Sequence, residues 1–108
     1  MPLLDLPRFI VDIQPDRSRV RVAVRGELDV ATVAEVQGAI DDLRDAGWDD
    51  IVVDVADMSF IDSAGLAVLI AADRRAGREG WRLTVANGRG ALDRLMELSG
   101  PWTALPRA

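Results

Sequence analysis

Ile51-Val52-Val53-Asp54-Val55 is the stretch on which the fold turns. Four of these five residues are β-branched and apolar, and the run is too short for a helix. Near-continuous apolar character over such a length fits a strand buried on both faces, as at the centre of a parallel sheet. A parallel neighbour requires a crossover connection, and the preceding residues supply one. Val33, Val36, Ile40 and Leu43 recur at steps of three and four, with Glu35, Gln37, Asp41, Asp42 and Arg44 between them. That spacing predicts an amphipathic helix of about four turns, which Asp29 or Thr32 can cap and which Gly47 ends. A strand–helix–strand unit of this kind implies a right-handed parallel crossover.

Working outward, two strands precede the helix. Phe9, Val11 and Ile13 alternate with Arg8, Asp12 and Gln14, although Ile10 breaks the pattern; this strand is expected to end at Pro15. Pro15-Asp16-Arg17-Ser18 has turn composition. Val20, Val22 and Val24 then alternate with Arg19, Arg21 and Arg25 around Ala23, giving the second arm of a hairpin. Downstream, Ala56 to Ile61 reads as a connecting loop, and a second helix begins around Asp62-Ser63. Leu83 and Val85 mark a fourth strand, and Asn87-Gly88 a turn. Leu92, Leu95 and Met96 share the face of a third helix stopped by Gly100 and Pro101. The order β-β-α-β-α-β-α predicts an α/β fold, a four-stranded mixed sheet with about three to four helices packed against it.

Composition narrows the chemistry. The 108 residues fit one domain, expected to span 1–108 with a core over about 8–100 and a tail over 101–108. Apolar residues make up 49% and charged residues 29%, a globular balance. There is no Cys, His or Tyr, and every basic residue is Arg. A disulfide framework, a Cys/His metal site, a Ser-His or Cys-His nucleophile pair, a Walker lysine and Schiff-base chemistry on lysine are thereby excluded. No cofactor is expected. A net charge of −5 with dispersed Arg residues disfavours nucleic acid as a partner. The start MPLLDLPRFI lacks the pattern of a secretory signal. The longest apolar run, Ala64 to Ala72, falls far short of the roughly 20 residues of a membrane span. A cytoplasmic location without membrane insertion is expected.

Local rules bend at Asp62-Ser63-Ala64-Gly65-Leu66. Free backbone amides and the macrodipole at a helix N-terminus favour negative charge. A phosphate on Ser63 would be tolerated there and would add roughly −1.5 to −2 charges. Plain capping by Asp62-Ser63 is the competing reading. Gly65 in the first turn is unexpected, since Gly costs about 1 kcal/mol against Ala inside a helix. Either a close approach by backbone or partner, or simple packing, explains it. From Ala64 to Ala72 the helix is apolar on nearly every side. Part of that surface is either buried or left as a docking patch. Trp48 and Trp81 read as core or rim packing, Trp102 as a cover for the last helix, and Arg74, Arg75 and Arg78 as a solvated helix end.

Three segments resemble the signature of the STAS family: Gly26-Glu27-Leu28-Asp29, Phe60-Ile61-Asp62-Ser63-Ala64-Gly65-Leu66, and Leu95-Met96-Glu97-Leu98-Ser99-Gly100. They occur in the family's order and cover most of the chain. The resemblance implies an anti-sigma factor antagonist that works by partner switching and is not an enzyme. An anti-sigma factor that is also a serine kinase would bind the unphosphorylated protein, and a serine phosphatase would reverse the modification. Ser63 occupies the phosphorylated position, and Asp29, Asp62, Ser63, Ala64, Gly65 and Leu66 the partner-binding positions. Two departures stand out: Ala64 replaces a second hydroxyl, and Pro101 and Pro106 sit where relatives carry a further short helix. STAS domains with Ala after the hydroxyl residue also resemble accessory subunits that dock on the ATPase of lipid-transport ABC complexes. A carboxylate-based enzyme using Asp29, Asp54 and Asp62 is the weakest alternative.

Overall fold

Val20, Val22 and Val24 are completely shielded from solvent, and the architecture is organised around them. The computed structural model describes residues 9–99 and Pro106. Strand β1 (Ile10–Asp16) and strand β2 (Arg19–Leu28) form an antiparallel hairpin, followed by helix α1 (Val33–Asp45). Strand β3 (Asp50–Asp54), strand β4 (Met58–Ile61), helix α2 (Ser63–Glu79), strand β5 (Arg82–Ala86) and helix α3 (Ala91–Ser99) complete the order. The sheet runs β1-β2-β3-β5, with β4 pairing to β2. All pairings except β1–β2 are parallel, so the sheet is mixed as expected.

The IVVDV run does form a central strand. Parallel ladders flank β3 on both sides, placing Ile51 opposite Val20 and Leu83, and Val53 opposite Val22 and Val85. Helix α1 lies over β1 and β2, α2 over β4 and β5, and the two helices touch each other. Their buried stripes are Val36, Ile40 and Leu43 on α1, and Gly65, Leu66, Leu69, Ala72 and Ala76 on α2. Trp81 is buried and Trp48 packs against the core. Among the described residues no helix is long and apolar enough to cross a membrane.

Two expectations are corrected. The Ala56–Ile61 segment is not wholly a loop: Met58–Ile61 is a strand, so the sheet has five strands and not four. Gly26, at φ 96°, allows a bulge that shifts the register, after which Glu27 pairs with Phe60 and Leu28 with Ile61. The first strand also runs through Pro15 to Asp16. It sits at the sheet's edge, where a missing N–H is tolerated. Ile10 breaks the alternation because it lies opposite Arg25, on the face away from the valines, and is 46% exposed. On that face Arg19, Arg21 and Arg25 pair with Asp50, Asp54 and Asp57. Arg25–Asp57, exposed on both sides, contributes about 0–1 kcal/mol, whereas Asp50 and Asp54 are more shielded. The readings of the first eight residues, of the side chain of Met96, of the Gly100-Pro101 stop and of Trp102 lie outside the described residues. Of the tail, Pro106 is described: its carbonyl accepts the Val85 N–H at 2.8 Å.

Candidate functional site

Parallel strands that end at one level bring their following residues together. Leu28 and Ile61 are paired on β2 and β4, so Asp29 and Asp62 leave the sheet side by side at its carboxyl edge. The Asp62 N–H donates back to the Leu28 carbonyl at 3.3 Å, tying the two strand ends together. In open α/β sheets this edge is where binding sites are built.

Asp62 is the N-cap of α2. Its backbone is extended, and its Oδ1 accepts the Gly65 N–H at 2.9 Å. At the level of geometry Asp62 caps the helix, and Ser63 does not. Ser63 is the first helical residue, exposed, and its hydroxyl makes no hydrogen bond among the described residues.

Gly65 is explained by a close approach within the chain. A Cβ at this position would stand 2.5 Å from the Leu28 carbonyl oxygen and 2.8 Å from Ile61 Cγ1. The first turn of α2 is therefore pressed onto the ends of β2 and β4. This fixes where Ser63 sits.

Asp29 opens the connection to α1. Its Oδ1 accepts the Ala31 N–H at 2.9 Å, and its carbonyl accepts the N–H groups of Thr32 and Val33. Thr32 occupies the N-cap position of α1, but its side chain caps no helical N–H. Its hydroxyl instead donates to the Glu27 carbonyl at 2.7 Å and accepts the Asp29 N–H at 3.0 Å, clamping the turn.

Of the six partner-binding positions, Ser63 is exposed, while Asp29, Asp62 and Ala64 are partly exposed. Gly65 and Leu66 are buried and are unavailable for direct contact, because the helix start packs them onto the sheet. The carboxylates of Asp29, Asp54 and Asp62 do not converge on shared partners. Asp54 accepts from Arg21 at 2.6 Å and from Asn87 at 3.0 Å. Burial pushes the Asp54 carboxyl up, but Asn87, the Ala56 N–H and Arg21 together hold it below the usual carboxylate range.

Residues 11–102 match the family model described as "Mlab, STAS domain". The chain belongs to the STAS family. The anti-sigma-B factor antagonist of Staphylococcus aureus (strain NCTC 8325 / PS 47) is 32% identical over 79 residues, covering 73% of each chain. An anti-sigma factor antagonist from Mycobacterium paratuberculosis shares the fold at a TM-score of 0.78, with 26% identity over 93% of this chain and 85% of that one. The anti-sigma factor antagonist SpoIIAA in its unphosphorylated form aligns at a TM-score of 0.66 with 23% identity, over 88% and 86% of the two chains, a likeness of fold. This STAS domain thus groups with the anti-sigma factor antagonists.

Two exposed apolar residues beside the Asp29–Asp62 corner were not singled out by sequence reasoning. Val30, next to Asp29, is 79% exposed, and Phe60, two residues before Asp62, is 47% exposed. Large apolar side chains left in water on both sides of the Asp29–Asp62 corner are candidate anchors for a partner. The sequence reading placed Phe60 in a connecting loop, quoting it only within the STAS-like segment, and gave Val30 no role. Only the strand ends reveal that both stand outside the core.

Proposed function

We propose that this STAS domain is a partner-switching antagonist that binds an anti-sigma serine kinase while Ser63 is unmodified and releases it once Ser63 is phosphorylated. The observation that supports this reading is the exposed, unbonded hydroxyl of Ser63 at the first position of α2, beside the capping carboxylate of Asp62. In the transfer step the Ser63 oxygen forms a bond to the γ-phosphorus of ATP and the bond to the β-phosphate oxygen breaks. ADP leaves, and the hydroxyl proton passes to a base on the kinase. The STAS domain contributes a positioned nucleophile; the base, nucleotide and metal belong to the partner.

Electrostatics at the helix start then sets the consequence. The N-terminal end of α2 stabilises added negative charge by about 0.3–1 kcal/mol, so the modified domain keeps its fold. Roughly −1.5 to −2 charges beside Asp62 would repel an acidic surface and resist desolvation against an apolar one. Val30 and Phe60 would lose their partner through that cost, without any rearrangement of the sheet. A serine phosphatase would restore the binding form.

The test is to incubate the protein with the anti-sigma kinase of the same cell and ATP, then map the modified residue by mass spectrometry. Modification at Ser63, abolished in Ser63→Ala, is expected. Phosphate elsewhere, or none, contradicts the reading. Ala64 in place of a second hydroxyl favours the second reading, an unmodified accessory subunit on the ATPase of a lipid-transport complex. Recovery of such an ATPase, with no kinase, from cell extract would establish it instead.

A further inference from the structure

Helix α2 is apolar on more sides than its own core uses. Leu66, Leu69, Ala72 and Ala76 face inward, while Ala67 and Ala71 are exposed and Ala64 and Val68 are partly so. These outer residues form the α2 wall of an open groove of about 390 Å³, whose other wall is α1 with Val33 and Ile40. On α2 it reaches from Ala64, adjoining Ser63, to Arg78, a length of about 21 Å at 1.5 Å per residue.

Charge marks the two ends differently. Across the groove Arg75 pairs with Asp41 of α1, and along α2 it also pairs with Glu79. Arg78, at the end far from Ser63, is exposed and has no acidic partner among the described residues. The Ser63 end carries the positive pole of the α2 macrodipole.

We infer that this groove receives one helix of the anti-sigma kinase, lying antiparallel to α2, with an acidic residue of its first turn at Arg78 and its C-terminal end against Ser63. The inference rests on the proposed function for the identity of the partner. Alanines along the wall let a second helix approach closely, within the 8–10 Å typical of packed helix axes. Antiparallel alignment sets the negative pole of the incoming helix against the positive pole of α2, and brings the acidic first turn, itself favoured at a helix start, to the free guanidinium. Phosphate on Ser63 would reverse the sign at the first of these contacts. The exposed Val30 and Phe60 would then be flanking anchors, with the groove as the main seat.

A photo-cross-linking residue placed at Ala67 or Ala71 of the full chain, mixed with the intact kinase without ATP, tests this directly. Both positions are exposed, so folding is preserved. Cross-links are expected on a single amphipathic helix with an acidic first turn. Arg78→Glu is expected to weaken binding about tenfold, and Arg in place of that acid on the kinase to restore it. If the unmodified protein does not bind the kinase, the proposed function and the groove assignment both fall. If it binds and phosphorylation of Ser63 releases it, yet the cross-links avoid any helix or Arg78→Glu binds like the parent, the groove assignment alone is overturned.

Discussion

A methyl group at position 65 would have to occupy space held by the Leu28 carbonyl oxygen, which is backbone and cannot swing aside. Gly65→Ala would gain helix propensity of about 1 kcal/mol. The overlap, of the kind that costs about 1–3 kcal/mol or more in packed interiors, should outweigh that gain. A net loss of stability is expected in denaturant melts, with Ser63 displaced outward. An unchanged midpoint would mean that the first turn of α2 is not pressed on the strand ends. Nothing in the sequence near Gly65 identifies Leu28 as its neighbour, so the unusual glycine was legible but its cause was not. The helix start at Asp62-Ser63 was legible, because a polar pair ahead of an apolar run is common capping chemistry. Which of the two caps was left open, since Asp and Ser are both good caps. At Asp54 the sign of a pH effect follows from its partners. Its carboxyl lies below the ordinary range in the folded protein, so its contribution to stability is present above the ordinary carboxylate value. That contribution is lost as pH falls through the lower, folded value. Asp54→Asn is expected to melt earlier at neutral pH and to lose less stability on acidification than the parent. An equal or steeper acid loss in the variant would contradict this assignment.

Seven of the eight elements were legible, because each has either a two-residue or three-to-four-residue hydrophobic rhythm or, as in β3 and α2, a nearly unbroken apolar run. Strand β4 has none of these. Its four residues are buried only at Met58 and Ile61, and its pairing depends on a bulge at Gly26 more than thirty residues earlier. That strand matters for the site, since it carries Phe60 into solvent and delivers Asp62 next to Asp29. Val30→Ser should therefore leave thermal stability nearly unchanged, while Phe60→Ser should lower it modestly, since about half of that side chain is covered. Each should weaken partner binding by about tenfold in titration calorimetry, the scale of a lost apolar anchor. Loss of folding with retained affinity would instead make them structural residues. In α2 the apolar surplus was legible as a choice between burial and docking. The structure divides it, burying one stripe and leaving the other as a groove wall.

At the scale of the molecule, the sheet and helices act as a rigid mount for one corner. Parallel pairing of β2 and β4 sets Asp29 and Asp62 side by side, the Asp62 cap and the Gly65 contact fix α2, and Ser63 faces water. Under the proposed function such a mount would need no internal motion to switch, because the change would be one of surface charge. Affinity for the anti-sigma kinase, measured side by side for the unmodified protein and for protein carrying phosphate at Ser63 alone, tests this most directly. Binding should weaken by at least about tenfold on modification, while the melting temperature stays level or rises. Equal affinities, or a loss of binding that accompanies unfolding, would contradict control by surface charge at Ser63.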